Sequence, residues 1–255
     1  MKITALGTGS ALSKRFFNNN YIFEFEGKRL LIDGGTSLKY SLQAASMKHS
    51  DIDYAIITHF HFDHAGGIEE LLTHNYWNFE NGQHVPKLTK FIMLESQLPH
   101  YESLLHSGLK NQGMTYVDYM QPIILTHENS IQIDSCQFTF IDTSNMHCAG
   151  MQSYALHITD MNTGTNIIFS SDIQDLINSG LKERINEQTA AIFQDVSFVP
   201  NPVHASFDEI CAYYPKEYHS KVHLMHYGDD IEKFIPIASK YGMHVVKERV
   251  TVAFS

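Results

Sequence analysis

The sequence predicts a mixed α/β fold on three observations. Short apolar runs rich in Ile, Leu, Phe and Tyr recur between Gly, Asn and Asp turns, as strands do. Stretches with helical spacing of apolar residues fall among them. One buried-strand pattern, Tyr54-Ala55-Ile56-Ile57, runs straight into a ligand-rich loop and then a helix start, Gly67-Ile68-Glu69-Glu70-Leu71-Leu72.

Taken in order, residues 2–7 read as a strand closed by Gly7-Thr8-Gly9-Ser10, a tight turn that lacks the rest of a phosphate-binding loop. Residues 14–20 read as a basic, amide-rich, solvated connection from which Lys14, Arg15 or an asparagine can approach a substrate. Residues 21–25 and 29–33 flank Glu26-Gly27-Lys28, a hairpin signal. Asp33-Gly34-Gly35 then turns the chain, and Asp33 has two readings: turn chemistry, or a carboxylate that orients a metal-bound histidine. Residues 37–47 fit a helix with Leu38, Leu42 and Ala45 on one face. Beyond the ligand-rich loop, Tyr76, Trp77 and Phe79 read as core packing, with a ring-binding wall as the other reading. Residues 90–94 predict a strand and 97–109 a helix, broken by Asn111-Gln112-Gly113. Strands are predicted at 131–134, 138–142, 154–158, 166–170, 190–198 and 221–228. His147, Asp172 and His226 follow or end three of these, and His204 precedes a helical stretch. His219, His223 and His244 are expected to be structural.

The chemistry concentrates in Thr58-His59-Phe60-His61-Phe62-Asp63-His64-Ala65-Gly66-Gly67. Imidazole and carboxylate are the ligands expected for zinc or a similar divalent ion. His59 and His61 point the same way if the segment is extended. Asp63 and His64 are adjacent and diverge, which suits two metals better than one.

Composition bounds the rest. At 255 residues and 43% hydrophobic, the chain can bury one substantial core. A formal net charge of −10 argues against a broad surface for long nucleic acid. Sixteen histidines suit a metal enzyme. Three scattered cysteines argue against a disulfide framework and for a reducing, cytoplasmic setting. No stretch approaches the ~20 apolar residues of a membrane-spanning helix, and none reads as a signal peptide.

H-x-H-x-D-H after a buried strand resembles the signature of the metallo-β-lactamase-fold hydrolases. The resemblance implies an αββα sandwich over residues 1–255, with two mixed sheets flanked by helices and a metal site at the sheet edge. It also implies a ligand set. His59, His61 and His147 would hold one metal, Asp63, His64 and His226 a second, and Asp172 would bridge them. Zinc is the expected ion, with manganese or nickel as alternatives, and a water held between the two would be the nucleophile. His204-Ala205-Ser206, upstream of His226, is similar to a motif of ribonuclease Z and its small phosphodiesterase relatives. By that likeness His204 is an acid or phosphate-binding group, Asp195 its partner in place of the usual glutamate, and Asp63 a proton acceptor. The interval from His147 to Asp172 has room for two short strands and none for a tRNA-binding arm. The resemblance is therefore to armless phosphodiesterases of small cyclic nucleotides, including phage-type anti-Pycsar enzymes that degrade cyclic pyrimidine mononucleotides. It implies a homodimer as well. The competing readings are a thioester or lactone hydrolase such as glyoxalase II, whose C-terminal helical domain the chain after His226 is too short to hold, and a non-catalytic metal-binding scaffold.

Overall fold

The structure, a computed structural model, describes residues 1–254. The chain opens with β1 (Lys2–Ala5), the hairpin β2 (Tyr21–Phe25) and β3 (Lys28–Ile32), then α1 (Leu38–Ala44) and β4 (Tyr54–Ile56). A single helical turn, α2 (Phe62–Ala65), precedes α3 (Ile68–Tyr76) and a small hairpin, β5 (Phe79–Glu80) and β6 (Gln83–His84). Next come β7 (Thr89–Leu94), α4 (Leu98–Leu105), β8 (Met120–Leu125) and the meander β9 (Ser130–Ile133), β10 (Cys136–Asp142), β11 (Tyr154–Asp160) and β12 (Asn166–Phe169). The remainder holds β13 (Thr189–Asp195), α5 (Phe207–Tyr213), β14 (Val222–Met225), α6 (Ile235–Lys240), β15 (His244–Val245) and β16 (Thr251–Ala253).

Apart from the β5–β6 hairpin, these strands form two seven-stranded sheets, in the orders β16-β1-β2-β3-β4-β7-β8 and β15-β14-β13-β12-β11-β10-β9. Period-two alternation explains how each sheet buries both faces. In β2, Tyr21, Phe23 and Phe25 enter the layer between the sheets and meet Phe138, Phe169 and Phe193 edge-on or tilted. Ile22 points the other way, to the layer formed with Leu38, Leu42, Ile68, Leu71 and Tyr101 of the helices. In β13, Ala191 and Phe193 face inward, while Ile192 packs outward with Ile210 and Ala238. The result is helix, sheet, sheet, helix.

Several boundaries differ from the sequence expectation, each for a local reason. The helix predicted over 37–47 is α1 alone, because Ser46 takes a left-handed φ of 56° and a 3₁₀ turn follows at His49–Asp51. The helix predicted over 97–109 ends at Leu105. The 190–198 strand stops at Asp195, where the chain turns away to pair Ser197 with Ser206. Of residues 14–20 only Lys14 and Arg15 are solvent-exposed. Asn19 and Asn20 are fully buried; Asn20 Oδ1 accepts from Gly35 N–H at 2.8 Å and Asn18 Oδ1 from Ser37 N–H at 2.9 Å. Arg15 is exposed but pairs with Glu232. Trp77 and Phe79 do not enter the core. They lie 43% and 60% exposed around His84 of the small hairpin.

Candidate metal centre

Topology gathers the candidate residues. β10, β12, β13 and β14 run in the same direction, so their C-terminal ends lie along one edge of the second sheet. β3 and β4 are parallel in the first sheet. A bond from Tyr154 N–H to the Thr58 carbonyl, 3.0 Å, joins the two sheets here. Asp33 follows β3, the H-x-H-x-D-H loop follows β4, His147 and Asp172 follow β10 and β12, Asp195 ends β13, and His226 follows β14.

The seven ligand candidates converge in two groups. In the first, His59 Nε2 and His147 Nε2 each lie 3.2 Å from His61 Nδ1. In the second, His64 Nε2 is 3.4 Å from Asp63 Oδ2 and 3.3 Å from Asp172 Oδ1. His226 Nε2 is 3.2 Å from Asp63 Oδ2 and 3.3 Å from Asp172 Oδ2. Asp172 Oδ2 also faces the first group, 3.9 Å from His59 Nε2 and 3.8 Å from His147 Nε2. His59 and His64 are fully buried, and Asp63, Asp172, His147 and His226 nearly so.

These residues fit divalent metal. Ligands about 2.0–2.1 Å from a tetrahedral zinc stand roughly 3.3 Å from one another, the spacing found in both groups. Three imidazole nitrogens converge in the first group, and in the second, among the described residues, His64 Nε2 and Asp172 Oδ1 are buried with no hydrogen-bond partner. Such atoms are costly unless paired or coordinated. The donor set, nitrogen and oxygen without thiolate, suits zinc and admits manganese or nickel.

An outer layer of hydrogen bonds aims the imidazoles. His147 Nδ1–H donates to the Val203 carbonyl at 2.6 Å and His64 Nδ1–H to Asp33 Oδ2 at 2.8 Å, which leaves each Nε2 lone pair for the cluster. Asp33 also accepts from the Thr58 N–H at 2.8 Å and its hydroxyl at 2.9 Å. The Thr58 hydroxyl in turn accepts from Ser171 Oγ at 2.7 Å and lies 3.2 Å from His59 Nδ1. Both readings of Asp33 therefore hold together: its φ of 61° makes the turn while its carboxylate orients His64. Thr58 and Ser171 had no sequence signal beyond adjacency to a ligand.

His204 stands at the rim, its side chain 15% exposed. Its Nδ1–H donates to Asp195 Oδ2 at 2.8 Å, and its ring centre is 4.9 Å from those of His147 and His226. Asp195 is fully buried; its Oδ2 also accepts from Ile173 N–H at 3.0 Å, and its Oδ1 lies 3.3 Å from His226 Nδ1. Asp172, Asp195, His204 and His226 are close enough to form a third metal-sized group. The occupied Asp195 Oδ2 makes a hydrogen-bonded pair the better description of His204 and Asp195.

The electrostatics separate the groups. Burial and the neighbouring His64 hold His59 well below the ordinary histidine range, and burial with His147 lowers His61. Burial also opposes charge on His64 and His226, yet the carboxylates win. Asp172 and Asp33 hold His64 well above its usual range, and Asp172, Asp195 and Asp63 raise His226 to about 10. Burial opposes charge on Asp63 and Asp172 too, but the facing imidazoles depress both. In the second group the carboxylates thus favour positive charge on the facing imidazoles, a charge that a bound cation would supply in the protons' place.

Comparison with known proteins agrees with this geometry. A family model described as "Anti-Pycsar protein Apyc1" matches residues 1–252. An anti-Pycsar protein Apyc1 of Bacillus phage 010DV004 is 32% identical over 260 residues, covering 95% of this chain and 94% of that protein. Among solved structures, a diphosphatase from the PhnP family superposes with a TM-score of 0.72 at 14% identity, over 100% of this chain and 98% of that one. The metallo-β-lactamase fold protein YhfI from Bacillus subtilis gives 0.69 at 15% identity, over 98% of each chain. The structural likenesses establish a metallo-β-lactamase fold, as the H-x-H-x-D-H loop led us to expect. The sequence matches span almost the whole chain and go further: it belongs to the anti-Pycsar Apyc1 family.

Proposed function

We propose that the chain is a metal-dependent phosphodiesterase that opens 3′,5′-cyclic mononucleotides, cyclic pyrimidine nucleotides such as cCMP and cUMP among them, to linear nucleoside monophosphates. The observation that carries this reading is the His204–Asp195 pair standing beside two metal-sized groups, the second of which contains Asp172 with its Oδ2 3.9 and 3.8 Å from His59 and His147 of the first. His59, His61 and His147 would hold one ion, Asp63, His64 and His226 a second, with Asp172 common to both. Divalent ions, zinc by preference, supply Lewis acidity there, lowering the pKa of water and neutralising charge on phosphoryl oxygens.

The side chains do the rest. Asp63 would accept the proton of the attacking water as that water's oxygen bonds to phosphorus. The bond from phosphorus to the 3′ oxygen breaks, and His204 Nε2–H protonates the departing oxygen. Asp195 holds the His204 tautomer and stabilises its charged form: burial opposes that charge, but Asp195 raises the His204 pKa. A net charge of −10 suits a small substrate better than a long nucleic acid. No helix is long and apolar enough to cross a membrane among the described residues.

The test is incubation of the metal-loaded full chain with cCMP, cUMP, cAMP, cGMP, a thioester and a lactone, with and without chelator. Linear monophosphates should appear, vanish on chelation and return with added zinc or manganese. Turnover of the thioester or lactone alone, or cyclic-nucleotide turnover that ignores the chelator, overturns the reading.

A further inference from the structure

His204 and His226 line a cavity of about 210 Å³ formed by the segments that follow β13 and β14 together with Ser10. That is below the ~300–1,000 Å³ of pockets that enclose a whole small-molecule ligand, so it has room for part of a nucleotide. Its sides are apolar: Phe198, Ile231 and Phe234 line it. Phe234 stacks on Phe198 at 4.5 Å and 11°, and Phe198 in turn on Phe207 at 5.3 Å, so the faces of Phe198 are covered and the stack holds Phe234 in place behind its outer face. Polar groups stand around it, Ser197, Asn201 and Asp230. Among the described residues, no lysine or arginine lines the cavity. A second phosphate would find no cation there, and an acyl chain would desolvate Asn201 and Asp230 without pairing them.

We propose that this cavity seats the nucleobase of the substrate, with the outer face of Phe234 taking its face and Asp230 favouring ring edges that donate an amino hydrogen. The inference rests on the phosphodiesterase reading, and it places the base on the His204 side of the cluster, next to the departing 3′ oxygen. An ionised carboxylate only accepts hydrogen bonds, so Asp230 suits the amino groups of cytosine, adenine and guanine and meets the O4 of uracil with repulsion. Its one ionic partner among the described residues, exposed Lys233 at 3.4 Å, leaves it able to compete for a base.

Two variants of the metal-loaded full chain test the assignment, with cCMP, cUMP and base-free ribose 3′,5′-cyclic phosphate as probes. In Phe234→Ala the ratio of kcat/KM for cCMP to that for the base-free probe should fall about tenfold, the scale of a lost base–aromatic contact. In Asp230→Asn, a surface change that leaves packing alone, the cCMP to cUMP ratio should fall about tenfold, because the amide can donate to O4. Should Phe234→Ala fail to fold, Asp230→Asn still decides the matter. Unchanged ratios, or equal losses on all three probes, overturn the base pocket and leave the phosphodiesterase standing. Failure of the wild-type chain to open any of the three removes both.

Discussion

His204 is the residue on which acid chemistry and metal ligation must be told apart. It touches the same histidines as the ligand groups, yet its Nδ1 is committed to Asp195 and its side chain reaches the rim. A group that protonates a leaving oxygen adds about 10²–10⁴ to the rate. His204→Ala should therefore keep full metal content while kcat for cCMP falls at least ~100-fold, read by elemental analysis alongside initial rates. Loss of metal in this variant would make His204 a ligand, and undiminished turnover would remove its role altogether. The residue scale is also where the sequence speaks most clearly. Histidines and aspartates spaced as in the 59–64 loop are rare outside metal sites, so residue type alone announces them. Thr58 and Ser171 carry ordinary hydroxyls, and only the meeting of two loops 113 positions apart reveals their bond.

At the scale of elements, the loop after β4 works because the turn after β3 lies directly against it. Gly34 N–H donates to the His64 carbonyl at 2.6 Å and Gly67 N–H to the Gly34 carbonyl at 2.8 Å. A Cβ on Gly35 would stand 2.0 Å from the Asp63 carbonyl oxygen, and one on Gly67 would stand 2.3 Å from that of Gly35. Neither glycine has a positive φ. Space, and not backbone freedom, is what excludes a side chain. Gly35→Ala must push α2 outward and carry Asp63 and His64 with it. We expect a loss of about 1–3 kcal/mol in stability, as for other overpacked sites, together with substoichiometric zinc after dialysis. A variant with wild-type melting temperature and full zinc would show that the contact yields without cost. The strand-loop-helix order around this turn was legible because apolar alternation and Gly-Gly mark it. β8 and the burial of Asn19 and Asn20 were not, since β8 sits in a stretch without strong alternation and buried amides look like loop residues until their partners are known.

For the whole molecule, the stacking of layers leaves histidines outside the metal centre in places where charge is unwelcome. His223 on β14 lies between Phe193, stacked at 5.1 Å, and His244 at 5.2 Å. His49 stacks face to face on His74 at 4.4 Å. Burial, with the neighbouring imidazole second, lowers each to about 4. An unfolded chain would protonate both near 6.5. Between those values the unfolded state binds more protons, so the stability these neutral rings contribute above pH 6.5 is lost as pH falls toward 4. His64 and His226, whose values are raised, act with the opposite sign above pH 6.5, and the depressed carboxylates Asp63 and Asp172 add to the acid loss toward pH 4. The contribution of His49 and His223 is therefore isolated by difference. In chelated protein, the fall in denaturant midpoint from pH 7 to pH 4.5 should be smaller in the double variant His49→Gln, His223→Gln than in the wild type, with the same slope against denaturant. Parallel pH curves would mean that both rings protonate freely in the folded chain, and that the layers around β14 and α3 admit water where the packing says they do not.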